Sequence, residues 1–192
     1  MNISEARTRI VATADELYNA RGIQAVGMDE LRTAAGVSLK KLYQEFPSKS
    51  SIVMAVLERR HRSWADGLDA KVRQAAAPRD RLLAIFDYLA QWFAEDSFRG
   101  CGFINSFAEL GAVSSEVAEY AREHKASFQE YVARLAAEAG VPAYLAPQLS
   151  ILAEGAQTTA AIAGTAEAAR QARGAAEVLI DAALGARDSR AA

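Results

Sequence analysis

Apolar residues recur along this chain at intervals of three and four, and no stretch of convincing length keeps the two-residue alternation of a half-buried strand. Ile10, Ala14, Leu17 and Tyr18 form one such stripe, with Ser4 placed to cap its start and Gly22 placed to end it. Met28, Leu31 and Ala35 fit a second short helix, and Gly36-Val37 a break. Ser38 then opens a third helix that runs to about Glu45 before Pro47 stops it.

The pattern continues in longer units. A helix starting at Ser48 or Ser50 carries Ile52, Val53, Val56, Leu57 and Trp64, reaching about Ala76, and Pro78 punctuates. Leu82, Leu83, Phe86, Leu89 and Phe93 stripe the next helix. Gly100 and Gly102 loosen the chain before a short helix at 103–110, and a long amphipathic helix is predicted over 114–139. Gly140 and Pro142 end it, and two final helices fit 144–168 and 171–185, followed by a polar, frayed tail. The expectation is an all-α protein of about nine helices.

Composition supports this reading, since 43 of the 192 residues are Ala, the residue with the best helix propensity. A chain of this length fits one domain, or a small module on a larger body. Cys101 is the only cysteine, so no intramolecular disulfide can form, and with His61 and His124 as the only histidines no Cys-rich zinc site is expected. We expect no metal and no cofactor. No run of about 18 apolar residues occurs and the start alternates charged with apolar positions, so a cytoplasmic protein without a membrane segment is expected. Neither histidine stands beside a Ser or Cys nucleophile and no phosphate-binding Gly-rich loop is present, which argues against an enzyme.

Charge is distributed unevenly. Residues 1–62 hold ten Lys and Arg against seven Asp and Glu, a net of +3, whereas the remainder holds twelve against seventeen, a net of −5. A basic head on an acidic body fits a protein whose head alone meets a polyanion.

Within that head, the run from Met28 to Lys49 has the form of a helix-turn-helix, whose second helix can enter the major groove of duplex DNA. The same spacing also fits a plain helical hairpin without a ligand. Lys40 and Lys41 lie in the first turn of the third helix, where cations oppose the helix dipole, a local cost that points to a partner as well as to a solvated pair. Lysines donate to guanine edges or phosphates, and Tyr43 offers a ring to a thymine methyl and a hydroxyl to phosphate.

Residues 10–57 resemble the DNA-binding domain of the TetR family of bacterial transcriptional regulators. The likeness rests on Ala25 through Leu31, Ala35-Gly36-Val37-Ser38, Leu42-Tyr43, Phe46 and Ser48-Lys49. It implies an N-terminal three-helix DNA-binding domain at 1–47, a helical ligand-binding and dimerisation domain at 48–187, and a tail at 188–192. It also implies a homodimer that binds a double-stranded, palindromic DNA operator and a small-molecule effector. Carried over, Ser38, Leu39, Lys40, Lys41 and Tyr43 fall where the family touches DNA, and Lys49 matches its phosphate-binding lysine. Gly27 stands where the family has a capping Thr or Ser, and Arg32 where it has Ala, with a charge that can itself reach the DNA backbone.

Gly100-Cys-Gly-Phe-Ile-Asn-Ser-Phe-Ala-Glu109 is similar to a Gly-Cys-x-x-x-Asn-x-x-x-Glu segment of some family bodies. Phe86, Trp92, Phe103, Asn105 and Phe107 become candidate effector contacts, and core packing explains the aromatics equally well. Cys101 joins them as a sensor thiol, or is a buried, inert one. The last two helices are the expected dimer interface, through Leu149, Leu152, Ala156, Ala160, Leu179 and Ala183. The implied function is a ligand-released repressor, and the alternative is a helical dimeric interaction protein with weak or lost DNA binding.

Overall fold

A computed structural model describes residues 4–191, with side chains through Ala186. Among the described residues there are nine α-helices and no strand: α1 Glu5–Arg21, α2 Met28–Ala34, α3 Leu39–Glu45, α4 Lys49–Val72, α5 Pro78–Phe93, α6 Gly102–Leu110, α7 Ser115–Ala139, α8 Leu145–Ala163 and α9 Glu167–Ala191. They form two compact units, one of residues 1–63 and 102–121, the other of 64–101 and 122–192. Compactness therefore groups α6 and the first half of α4 with the head, a division different from the functional boundary expected after residue 47.

In the first unit, α1 packs on α2 and α3. Ile10, Ala14, Tyr18, Leu31, Leu42 and Phe46 are buried there, as are Ile52, Val53, Val56 and Leu57 of α4. Local chemistry sets the helix ends. Ser4 Oγ accepts the Arg7 amide at 3.1 Å, and Ser38 Oγ accepts the Lys41 amide at 3.1 Å. Gly36 adopts φ +64°, a left-handed conformation that costs a side-chain-bearing residue about 1 kcal/mol or more, and so turns α2 into α3. Phe46, extended at φ −140° and ψ 110°, ends α3 in front of Pro47.

In the second unit, α5 packs against both α8 and α9, and those two against each other. Leu82, Leu83, Ile85, Phe86 and Leu89 of α5 meet a wall of Leu145, Leu149, Ala153, Ala156, Ala160, Ala169, Ala176 and Ile180. Across this seam Arg79 donates to both carboxylate oxygens of Asp181, at 2.6 and 2.7 Å, and to Glu177 at 2.9 Å.

Four boundaries differ from the sequence expectation. The fourth helix stops at Val72 and not near Ala76; Pro78 begins α5, occupying the first helical position, where its missing N–H costs nothing. Gly164, at φ +66°, closes α8 at Ala163, and α9 starts at Glu167 and continues through Ala191. Of the tail expected at 188–192, Ala192 lies outside the described residues.

Candidate nucleic-acid interface and effector region

The helix-turn-helix presents one mixed surface. Leu39 is 40% exposed and Tyr43, one turn later, 47% exposed, and Lys40 stands open between them. Leu42, on the opposite side of α3, is fully buried, so the helix is held by its inner face while its outer face is free of intramolecular duties. The Ser38 hydroxyl caps α3 and is itself exposed.

Lys41 is placed differently from Lys40. Its Nζ lies 2.6 Å from Glu45 Oε1, which also accepts the Ser4 hydroxyl at 2.7 Å. Arg7 donates to the Glu45 carbonyl at 2.7 Å and lies over the Phe46 ring, 4.0 Å from its centroid. Hydrogen bonds from Lys41 and then Ser4 hold the Glu45 carboxyl below the usual carboxylate range. Two lysines that the sequence ranked together therefore separate into an open one and one that ties α3 to α1. The i, i+4 spacing of Lys41 and Glu45 was the available signal.

Arg32 is tied along α2, its Nε 2.8 Å from Asp29 Oδ1. Gly27 caps α2 through its backbone alone, with no side-chain bond, and open space surrounds the position a Cβ would take. At the start of α4, Ser51 donates its amide to Ser48 Oγ at 3.1 Å and its hydroxyl to the Ser48 carbonyl at 2.7 Å. Lys49 is half-buried beside them; burial pushes its ammonium pKa down, against the opposing field of Glu109. The N-terminus of a 24-residue helix with a lysine at its first position is a natural seat for a phosphate.

Residues 10–56 match the sequence profile of bacterial regulatory proteins of the tetR family. The HTH-type transcriptional activator FasR of Mycolicibacterium smegmatis is 36% identical over 93 residues, covering 48% of this chain and 42% of that protein. The HTH-type transcriptional repressor NemR of Escherichia coli is 28% identical over 115 residues, 59% of this chain and 58% of NemR. The matched part thus spans about half the length of these curated relatives. A crystal structure of a TetR-family transcriptional regulator from Streptomyces coelicolor superposes with a TM-score of 0.86 over 93% of this chain and 96% of that one, at 23% identity. Residues 10–56 therefore carry the tetR-family sequence pattern, and the chain as a whole has the fold of such regulators.

The effector candidates are divided between the two units. Phe86, Trp92 and Cys101 belong to the second unit, and Phe103, Asn105 and Phe107 to the first. Phe86 is fully buried in the core and Trp92 is half-buried, edge-on to Phe98 at 5.1 Å. Cys101 is buried, and Lys125, itself 3.4 Å from Glu154, donates to its sulfur at 3.7 Å. Phe103 is buried between His61 and Tyr120, at centroid distances of 6.4 and 6.0 Å, whereas Phe107 is exposed. Asn105 borders a crevice of about 30 Å³ with Tyr18, Arg60 and Glu109. Such a volume holds about one water, not an effector. A groove of about 520 Å³ in the second unit is lined by Pro142, Tyr144, Gln148, Leu179 and Ala183, and by none of the effector candidates.

The expected dimer residues need correction. Leu149, 1% exposed, and Ala156 and Ala160, also buried, face the protomer's own core against α5 and α9, so they have no surface to offer a second copy. Leu152 and Ala183 are half-buried and Leu179 is exposed. Among the described residues, the large exposed apolar side chains of α8 and α9 are Ile151, Ile162, Val178 and Leu179. Helical periodicity does not say what covers an apolar stripe, because small residues permit close approach within a protomer as readily as between two.

Proposed function

We propose that this chain is a ligand-responsive transcriptional regulator of the TetR family, a repressor, that binds an approximately palindromic operator as a homodimer and is released by a small apolar or amphipathic molecule. Residues 1–47, with Lys49 just beyond them, carry the DNA contacts and the rest of 48–187 the effector and dimer functions; the protein works in the cytoplasm and catalyses no reaction. The observation that carries this reading is the outer face of α3, where Leu39, Lys40 and Tyr43 stand exposed behind the Ser38 cap. An exposed leucine and tyrosine flanking a free lysine suit thymine methyl groups, a guanine edge and a phosphate together. Lys49 and the α4 N-terminus add a phosphate clamp, and Arg32 reaches a phosphate only by leaving Asp29.

Ile151, Ile162, Val178 and Leu179 form the self-complementary patch, and a two-fold dimer through it presents two copies of α3 to successive major grooves. Effector action requires the bound molecule to favour the released state by about 10⁴-fold, or about 5.5 kcal/mol, to empty an occupied operator. We assign the aromatic side of that site to Trp92 with Phe93 and Phe98, a cluster in which the Trp92 and Phe98 rings are half-buried. A second reading, a dimeric interaction protein with weakened DNA binding, draws on Gly27, which gives α2 no hydroxyl for cap or phosphate.

Selection of duplexes from a random-sequence pool by the full-length chain decides between the two. The regulator reading expects enrichment of two inverted half-sites with centres about 34 to 36 Å apart or a multiple of it. Recovery of an unenriched pool favours the interaction protein.

A further inference from the structure

The Gly-Cys-x-x-x-Asn-x-x-x-Glu run ends at Glu109, on a helix that follows directly on Cys101 and packs into the first unit. There Glu109 Oε2 accepts the Gln24 amide at 3.0 Å, and Gln24 Nε2 donates back to the Glu109 carbonyl at 2.7 Å. Two hydrogen bonds thus join residues 85 positions apart. Gln24 belongs to the turn between α1 and α2, directly ahead of the helix-turn-helix. Gly22 opens that turn at φ +84°, and a Cβ there would stand 3.2 Å from both Glu109 carboxylate oxygens. The position therefore needs glycine twice over, for its backbone and for the approach of the carboxylate. The same carboxylate acts electrostatically on Lys49, so one α6 side chain bears on both ends of the DNA-binding segment.

We propose that Glu109 is a positioning residue for DNA binding, fixing the α1–α2 turn so that α2 and α3 meet the duplex in one preset arrangement. This rests on the DNA-binding reading above. In that role Asn105, Ser106 and Glu109, which border the crevice beside Tyr18 and Arg60, serve the head and not an effector pocket. The buried Tyr18 hydroxyl, which has no hydrogen-bond partner, marks this seam as one where polar atoms are packed for position and not all for mutual satisfaction. Glu109 also supplies a negative charge near the surface that meets phosphate, which weakens sequence-independent attraction while the clamp preserves the geometry of base reading.

The test uses the full-length chain, the duplex that the wild type enriches from a random pool, and a scrambled duplex of equal length. Glu109→Ala should lower affinity for the enriched duplex about tenfold while binding the scrambled one more tightly, since the carboxylate charge is lost there too. Glu109→Gln keeps an acceptor for the Gln24 amide and should stay within about twofold of wild type on the enriched duplex while binding the scrambled one more tightly. Gln24 amide exchange should quicken in Glu109→Ala alone. Wild-type discrimination in Glu109→Ala, or equal loss on both duplexes as a general folding defect would give, overturns the proposal. If Glu109→Ala does not fold, Gln24→Ala, which removes only the Nε2 bond, should lose about threefold on the enriched duplex, and no loss overturns the proposal. A wild-type chain that enriches no duplex overturns the DNA-binding reading and this proposal with it.

Discussion

Helix α3 and the outer side of α8 and α9 both expose large apolar side chains, and their surroundings differ. On α3, Leu39 and Tyr43 flank a free Lys40, with Lys49 close by in sequence at the head of α4. On α8 and α9, Ile162 is 84% exposed and Ile151, Val178 and Leu179 are open, with Gly155, Thr158, Thr159, Gly174 and Ala175 as exposed neighbours in sequence, and with Glu177 and Asp181 beside Val178 and Leu179 paired to Arg79. Apolar groups among cations suit a polyanion that also has methyl groups to offer, whereas apolar groups among small neutral residues and already paired carboxylates suit a protein surface. On the proposed reading, the charge around each exposed apolar patch separates a DNA-facing surface from a protein-facing one.

The largest effects should come from breaking the second surface. Because each residue of a two-fold interface is used twice, Val178→Glu with Leu179→Glu should raise the dimer dissociation constant by at least about 100-fold, on about 1.5 to 3 kcal/mol for each buried apolar side chain lost. Sedimentation at micromolar concentration gives the answer, and an unchanged dimer would remove α9 from the interface. Leu149→Ala sharpens the contrast: as a core residue it should cost about 2 to 5 kcal/mol of folding stability in a thermal melt, since it leaves a cavity inside the protomer.

On α3 the expected effects are smaller and split between two neighbouring lysines. Lys40→Ala should lower discrimination between enriched and scrambled duplexes by about 1 to 3 kcal/mol. Lys41→Ala should chiefly lower the melting temperature, because it removes a hydrogen-bond donor from Glu45 at the α1–α3 seam. The Glu45 carboxyl is held below its ordinary value in the folded state, so its contribution is complete above the unfolded pKa and fades as pH falls through the folded one. In Lys41→Ala that acid-side fading should shrink. Equal losses of discrimination in both variants would dissolve the distinction.

Much of the fold was legible because its punctuation is chemical. Ser4 and Ser38 cap where hydroxyls are expected, and Gly22 and Gly36 turn where only glycine turns cheaply. The break between α8 and α9 was placed several residues late, since alanines on both sides of Gly164 continue a helix as well as they end one. Facing was harder still. Leu149, Ala156 and Ala160 keep helical period whether α5 and α9 or a second copy covers them, and periodicity cannot name the cover. Glu109 was visible as the end of a motif, but its partner Gln24 lies 85 residues away in a turn without a pattern of its own.

Tyr18 offers a smaller test inside the head. Burial pushes its phenol up to about 12, from an ordinary value of about 10, and its hydroxyl is unpaired. Between about pH 10 and 12 the unfolded chain gives up this proton while the folded chain keeps it, so stability falls as pH rises. Burial raises Tyr88 and Tyr131 to about 12 as well, in the same direction. Tyr18→Phe should flatten part of this alkaline arm and be neutral or slightly stabilising at pH 7, read from melting temperature against pH. A clear loss at pH 7 would show that the hydroxyl has a partner in solution.

The smallest expected change is Gly27→Ser. The site has room for the side chain, and Gly is already a tolerable cap, so stability should rise by only a few tenths of a kcal/mol. The hydroxyl should nonetheless tighten binding to enriched and scrambled duplexes alike, as a phosphate contact does. Tightening on the enriched duplex alone would place position 27 against a base.

The central claim is that α3 reads bases while the start of α4 grips the backbone, and parallel salt titrations of Lys40→Ala and Lys49→Ala on enriched and scrambled duplexes address it most directly. Lys49→Ala should weaken both duplexes together and reduce the slope of log affinity against log salt by about 0.9 per head, the share of one phosphate. Lys40→Ala should weaken the enriched duplex and leave the scrambled one, and its salt slope, nearly unchanged. Identical behaviour of the two variants on both duplexes would contradict the account.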